Sequence, residues 1–472
     1  MNVTRPAFGQ RDASEGRRGS DAHHARADAA VPGEAAVSAS DMAKHLHERI
    51  ANLSVPRLLR QTVFLATLLL AWITLKPFAD LSRLDAADLV TGQETVTYAT
   101  YGLLALAGFL LVVRDHGRAL ASLVLPTHVA LVGWLALSVI LSQDPTTSMK
   151  RLALTAAVML LTASLPLLAQ TRAEFRTLLA VATLGLLTVC YVGLVVAPDL
   201  AIHQPRDLME PALVGNWRGA FGHKNAAAAV MAMLLFVGLA VMRTGGRVSG
   251  LAILGLACVF LVGSEGKSAF ALSLLVFVLT GAFAAIRSFR GRLLITVGPI
   301  VLMNLFTVGT VMSDAIASIV GALPIDATFT GRTDIWRFVI ESIAARPIAG
   351  HGFAAFWGTQ TLRDLSDDGA TWAGYASHSH NGYLDTTLTL GAIGLVLLVL
   401  VFVIGPLRNY HRLQTETGNA GPFATMFLQI WLFGLLLSTM ESFFFDRGDP
   451  IWLMFLFAVF GLHYLARFRT RR

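Results

Sequence analysis

Long apolar runs separated by short polar turns dominate this chain from residue 61 onward. They fall near 61–77, 97–113, 124–142, 152–170, 177–197, 226–242, 248–263, 269–286, 293–313, 389–405, 423–440 and 450–466. A bilayer core about 30 Å thick takes ~17–25 mostly apolar residues per helix. The pattern therefore predicts an all-α, polytopic integral membrane protein with about 12 transmembrane helices. The runs near 248–263 and 269–286 are short and divided only by "SEGKS". Composition agrees: 55% of the 472 residues are hydrophobic and 14% charged, against about a quarter charged in soluble domains.

Charge sets the orientation. With the N-terminus inside, alternate turns carry Arg114 and Arg118, Arg172 and Arg176, Arg243 and Arg247, then Arg287, Arg290 and Arg292. Arg408 and Arg412 follow, and finally the tail "ARFRTRR". "SMKR" at 148–151 is the exception on the opposite side. The positive-inside rule predicts both termini in the cytoplasm of a bacterial inner membrane. It also accounts for the net charge of +7 without nucleic acid.

Residues 1–50 are rich in Ala, Arg, Asp, Gly and Ser, which predicts a disordered cytoplasmic tail with no cleavable leader. Spans one to nine then occupy 51–313, with an outer loop at 198–225. A large outer loop covers 314–388, and the last three spans with a basic C-terminus cover 389–472. Cys190 and Cys258 lie in apolar runs and read as packing residues. His128, Asn304 and Gln429, isolated in spans, read the same way.

The polar clusters all fall on the outer face. In "TFTGRTDIWRFVIESIAARPIAGHGF", Ile335, Trp336, Val339, Ile340 and Ile343 form one stripe of an amphipathic helix. With Trp336 as anchor, that helix is expected to lie along the membrane interface. Arg332, at its N-terminal end, would seat either a phosphate oxygen or a lipid headgroup. His378 and His380 in "SHSHNGY" share a face of an extended segment. They would cap the tenth span, bind a metal, or supply a general base. No metal is expected, because no carboxylate partner accompanies them in sequence. Asn381 would orient the ring or hold a sugar hydroxyl. "NWRGAFGHKN" places Arg218, His223 and Lys224 at the start of the sixth span. Lys267 of "SEGKS" adds a cation, or else pairs with Glu265. Basic centres beside a candidate base suit a pyrophosphate leaving group on a lipid.

These residues resemble a known family. "GRTDIWRFVIESIAARPIAGHGFAAFW" followed by "SHSHNGYLDTTLTLGAIGLVLLVL" is similar to the signature region of the bacterial O-antigen ligase and polysaccharide polymerase superfamily. "RGAFGHKNAAAAVMAM" and "GSEGKSAFAL" resemble two further blocks, and the "GHKN" form is most similar to exopolysaccharide polymerases. The resemblance covers about 200–405. It implies a C-type glycosyltransferase that needs no cofactor and takes undecaprenyl-diphosphate-linked oligosaccharide as donor and acceptor. It also implies a flippase and a chain-length regulator as companions. His380 would be the base, Arg218 and Arg332 would hold the pyrophosphate, and Lys267 stands where the family often has Arg. His223, Lys224 and Asn225 match the second block. A ligase transferring glycan to lipid A-core is the alternative. A transporter fits less well, because the spans are nearly free of charge.

Overall fold

In a computed structural model, residues 55–75, 77–81, 94–207, 213–323, 329, 331–358, 376–418 and 420–468 are described. The expected N-terminal tail lies outside them. Among the described residues no strand forms, only an isolated bridge between Ile202 and Trp217. The protein is an all-α, multi-pass membrane protein.

Each of the twelve expected spans coincides with a helix, and the two short central runs are separate helices, Arg247–Gly263 and Lys267–Ala285. Among the described residues eight helices are long and apolar enough to cross a bilayer, while Pro126–Ile140, Arg247–Gly263 and Pro422–Leu437 are apolar but shorter. Prolines at the first helical turn fix the start of Pro126–Ile140 and Pro422–Leu437, where a missing N–H costs nothing. The last two helices, Pro422–Leu437 and Pro450–Arg467, are buried all round and form the centre of the bundle. Cys190 is buried in that core, whereas Cys258 is exposed on the outer surface of its helix.

Hydrogen bonds between turns divide them into two sets. At one end Ser148 Oγ donates to the Phe353 carbonyl at 2.6 Å, and the Trp217 N–H to Gly263 at 3.0 Å. There too the Gly382 N–H donates to Ser438 at 2.8 Å. At the other end Arg57 meets Glu174 at 3.1 Å, Arg176 donates to the Thr244 carbonyl at 2.7 Å, and Ser122 bonds His463 at 2.9 Å. Alternating crossings demand this sorting. Every turn bonded to the first set belongs to the side expected to face outward.

One span is broken on purpose. The Gly382–Leu398 helix has Gly391 at φ 66°, ψ −172° and continues through a π-helical stretch, Val399–Ile404, into Gly405–Thr417. The "RPIAGHG" turn fills the break: Ala392 N–H donates to Pro347, and His351 and Gly352 N–H donate to Leu388 and Thr389, each at 2.9 Å. Broken helical backbone inside a membrane protein needs such partners. A Cβ on Gly391 would collide with the Ile348 carbonyl. This insertion locks the end of the Arg332–Ala345 helix against the span that begins at "SHSHN".

The amphipathic helix itself corrects an expectation. Ile335, Trp336 and Val339 are buried, and their stripe packs with Leu388 and Phe356 of the protein. Trp336 donates through Nε1 to the Ser379 carbonyl at 3.0 Å. The stripe faces the bundle, not the lipid, because the 376–390 segment offers an apolar face and an acceptor there.

Candidate functional site

Three separated stretches meet at one carboxylate that the sequence analysis overlooked. Glu441 lies in the turn between the last two helices, just past Leu437. Its Oε2 is 3.2 Å from Nδ1 of His380. Its Oε1 accepts from Arg332 Nη2 at 3.0 Å and from Asn225 Nδ2 at 3.2 Å. The other terminal nitrogen of Arg332 donates to the Met440 carbonyl. Arg332, His380 and Glu441 are all partly exposed, at 17, 27 and 21% of their side chains. The cluster is sheltered yet reachable.

Burial alone would raise the Glu441 carboxyl, but the His380 bond and the Arg332 charge outweigh it and hold the carboxyl down at about 2. An ionised carboxylate only accepts, so the proton between the two sits on Nδ1 of His380. The imidazole lone pair is then left on Nε2. Correcting the expectation from sequence, the histidine pair does have a carboxylate partner, 61 residues downstream.

The loop carrying His380 is built to hold an unusual backbone. His380 has φ 53°, a left-handed conformation that non-glycine residues seldom adopt. Buried Ser379 fixes it: its carbonyl takes the Trp336 bond, and its N–H donates to Asp385 Oδ1 at 3.2 Å. The Asn381 N–H donates to Ser442 Oγ at 2.9 Å. His380 N–H reaches back to His378 Nδ1 at 3.2 Å, and the two rings stand edge to face with centroids 4.1 Å apart. Burial and the neighbouring His380 keep His378 below the ordinary imidazole value, against the pull of Glu441. Strained backbone held by its surroundings is characteristic of functional sites.

Asn381 is fully buried, and its side chain is committed to the protein. Its Oδ1 caps the helix through Tyr383 and Leu384 N–H at 3.1 and 3.0 Å, and its Nδ2 donates to Asn304 Oδ1 at 2.8 Å and the Thr439 carbonyl at 3.1 Å. Every side-chain bonding position is used, so it is an anchor for the loop. Asn304, read from sequence as a packing contact, is part of that anchor.

The 198–225 loop divides its residues. Asn225 reaches Glu441, and His223 caps the Lys224–Arg243 helix through Asn225 N–H at 3.1 Å. Behind them His203 Nδ1 lies 3.1 Å from Asp207 Oδ2 while its Nε2 accepts the Lys224 N–H at 3.3 Å. This buried His203–Asp207 pair, four residues apart, has only its spacing to mark it in the sequence. Arg218 is 1% exposed and donates to the Phe221 and Ala79 carbonyls at 3.2 and 2.7 Å. Burial lowers its pKa, with Asp207 and Asp80 opposing. Its guanidinium is thus enclosed, unlike that of Arg332. Lys267 is exposed at the first position of its helix and makes no ion pair with Glu265 among the described residues. Its turn nevertheless adjoins the same loop: Gly263 lies against Trp217 and Gly266 against Ala228.

Part of the chain is similar to known proteins. Residues 231–399 match the family model described as O-Antigen ligase. The chain is 27% identical over 215 residues to an exopolysaccharide production protein, ExoQ, of Rhizobium meliloti, covering 42% of this chain and 48% of that protein. It is 30% identical over 107 residues to a putative polysaccharide ligase of Rickettsia felis, covering 22% of this chain and 26% of that one. A putative polysaccharide ligase of Rickettsia bellii is 32% identical over the same length. The chain spans about half of the first relative and about a quarter of the others. Lys267, Arg332, His378, His380 and Asn381 lie inside the matched region, while Arg218, Asn225 and Glu441 lie outside it. Residues 231–399, about a third of the chain, are therefore what is similar to the O-antigen ligase family.

Proposed function

We propose that this protein is a glycosyltransferase that joins undecaprenyl-diphosphate-linked oligosaccharide repeat units into exopolysaccharide at the outer face of the inner membrane. The observation that carries this reading is the convergence of Arg332, His380 and Asn225 on Glu441. A base, a cation and their shared carboxylate meet among turns that positive-inside charge assigns to the outer side, with both termini cytoplasmic. The family match and the longer alignment to an exopolysaccharide production protein support the substrate class.

In this reading Nε2 of His380 removes the proton from an acceptor sugar hydroxyl. The freed oxygen attacks the anomeric carbon of the donor, and the bond from that carbon to the phosphate oxygen breaks. Undecaprenyl diphosphate leaves with the electron pair, and single displacement inverts the anomeric centre. Glu441 stabilises the imidazolium that forms, as a buried carboxylate does behind a catalytic histidine. Arg332, partly exposed beside it, offers its guanidinium to the leaving diphosphate. Lys267 and Lys224 would extend the positive field from the adjoining turns, while His223 serves as the helix cap. Arg218, enclosed and bonded to carbonyls, is assigned to shaping the 216–225 loop, a change from the phosphate contact that sequence alone suggested.

Membranes from a His380→Ala strain should contain the protein and lack polymer; full-length polymer from that variant would refute the assignment. The ligase reading shares the donor chemistry and rests on the relatives named polysaccharide ligases. Glycan analysis of a deletion strain separates the two. Loss of exopolysaccharide with intact lipopolysaccharide supports the polymerase, and loss of O-antigen from lipopolysaccharide supports the ligase.

A further inference from the structure

His378, His380 and Glu441 each bring one ligand atom to within 4.8 Å of the others. All three side chains are partly exposed. Two imidazoles and a carboxylate form the donor set of many three-ligand zinc sites, with water in the fourth position. Tetrahedral bonds of about 2.0–2.2 Å require donor atoms closer together than this. An ion would have to draw the three side chains together from their present hydrogen bonds.

The surroundings favour such an ion. Arg332 and Asn225 hold Oε1 of Glu441, while Oε2 faces the histidines. One carboxylate oxygen is thus oriented by donors and the other is directed at the imidazole pair, as outer partners orient ligands in metal sites. His378 Nδ1 takes the His380 N–H at 3.2 Å, so its lone pair sits on Nδ1, the atom it offers to an ion when that bond gives way. Nitrogen-rich donors select zinc and its neighbours over magnesium or calcium, which want oxygen cages.

We propose that His378, His380 and Glu441 form an inhibitory site for a borderline-soft divalent cation, of which zinc is the natural probe. The consequence follows from the lone pairs. An imidazole carries one lone pair when neutral, and the ion takes that of His380 through whichever ring nitrogen it binds. No nitrogen of His380 is then left to receive a proton. The cation has no part in the chemistry and occupies the place where the acceptor hydroxyl would have to approach. The effect on activity rests on the function proposed above, whereas binding does not.

The test uses the full chain in detergent, with His23, His24, His45 and His47 replaced by alanine so that residues 1–54 contribute no imidazole. Equilibrium dialysis against zinc chloride, read by metal analysis, should give one zinc per chain. His378→Ala and Glu441→Gln should each weaken it at least about tenfold, while Cys258→Ser leaves it unchanged and excess magnesium does not compete. Zinc bound equally by both variants, or no zinc bound, overturns the proposal. X-ray absorption of the zinc-loaded parent needs no site variant. Two imidazoles with oxygen at about 2.0–2.2 Å support the site, and sulfur or a single imidazole refutes it. Zinc should also stop glycan joining, reversibly with a chelator, and lose that effect in His378→Ala. A metal-free chain that joins no glycan counts against the proposed function, while the zinc count still decides the site.

Discussion

Nδ1 of His380 stands 3.2 Å from Oε2 of Glu441, across 61 residues of chain that hold the kinked helical run from Gly382 to Thr417 and the Pro422–Leu437 helix. The bond fixes both the tautomer and the aim of the imidazole. It also divides the labour of one carboxylate, since the other oxygen holds Arg332 at 3.0 Å.

The first prediction concerns that division. Glu441→Gln keeps the shape of the side chain but not its charge, and an amide can present its NH2 to Nδ1 and fix the wrong tautomer. Turnover should fall by roughly 10²-fold or more, the scale attached to positioned acid–base catalysis, with a smaller change in KM. Equal losses in kcat and in affinity for the lipid-linked donor would reassign Glu441 to substrate binding. Assay of purified protein in nanodiscs with a lipid-linked repeat unit measures both.

Arg332 tests whether shape or charge matters. Its two terminal nitrogens serve different acceptors, the Met440 carbonyl and Glu441. Lysine has one nitrogen and no fork, so it cannot span both while presenting charge to a diphosphate. Arg332→Lys should therefore lose activity to within about threefold of Arg332→Ala, on the scale by which such contacts differ. A lysine variant close to the parent would mean that a point charge suffices.

The apolar pattern made the helices legible because a membrane span is specified by composition over many residues, and tertiary context seldom reverses it. His380, Arg332 and Asn225 were visible for a different reason, being polar residues at the ends of oily runs. Glu441 carries the same mark in "LLLSTMESFFF", and it escaped notice because no family motif and no local spacing pointed to it. What joins it to His380 is the packing of the last two helices, which a linear reading does not contain. Trp336 was misjudged on similar grounds. An amphipathic stripe reveals a buried face, yet lipid and protein are equally apolar partners for it. Asn381 looked reactive by its neighbours, when its place before Gly382–Leu398 made it a cap first.

Two carboxylates on the outer turns should respond to pH in opposite directions. The folded state holds Glu441 near 2, below its ordinary value of about 4.3. Its stabilising share is complete above that ordinary value and is lost as pH falls through the interval toward 2. Asp449 is pushed the other way, to about 8, by burial first and then by Asp446. Its share is therefore unfavourable and grows as pH rises from about 4 to 8. Thermal unfolding in detergent should show Glu441→Gln losing its disadvantage below pH 4. Asp449→Asn keeps the cap on Ile451 and Trp452, which asparagine serves as well as aspartate. It should match the parent at pH 4 and exceed it at pH 8. A variant that is uniformly less stable would show that the Asp446–Asp449 repulsion is relieved in another way.

Gly391 links the membrane break to the site. Its φ of 66° is open to glycine, and the Ile348 carbonyl occupies the space of any Cβ. Gly391→Ala must either straighten the span or expel the "RPIAGHG" turn, and both outcomes release the N–H bonds from His351, Gly352 and Ala392. The Arg332–Ala345 helix ends in that turn, so its hold on Ser379 through Trp336 weakens next. The expected result is a membrane-inserted protein with a Tm lowered by several degrees, corresponding to about 2 kcal/mol or more of backbone strain and lost bonding. Activity should drop further than that stability loss explains, since Arg332 and His380 both depend on this contact for their approach to Glu441. Hydrogen exchange would localise the damage: faster exchange at 346–352 and 379–384 with the last two helices unchanged is the pattern that coupling requires. Faster exchange confined to 389–404 would mean that the kink bends the span without steadying the site.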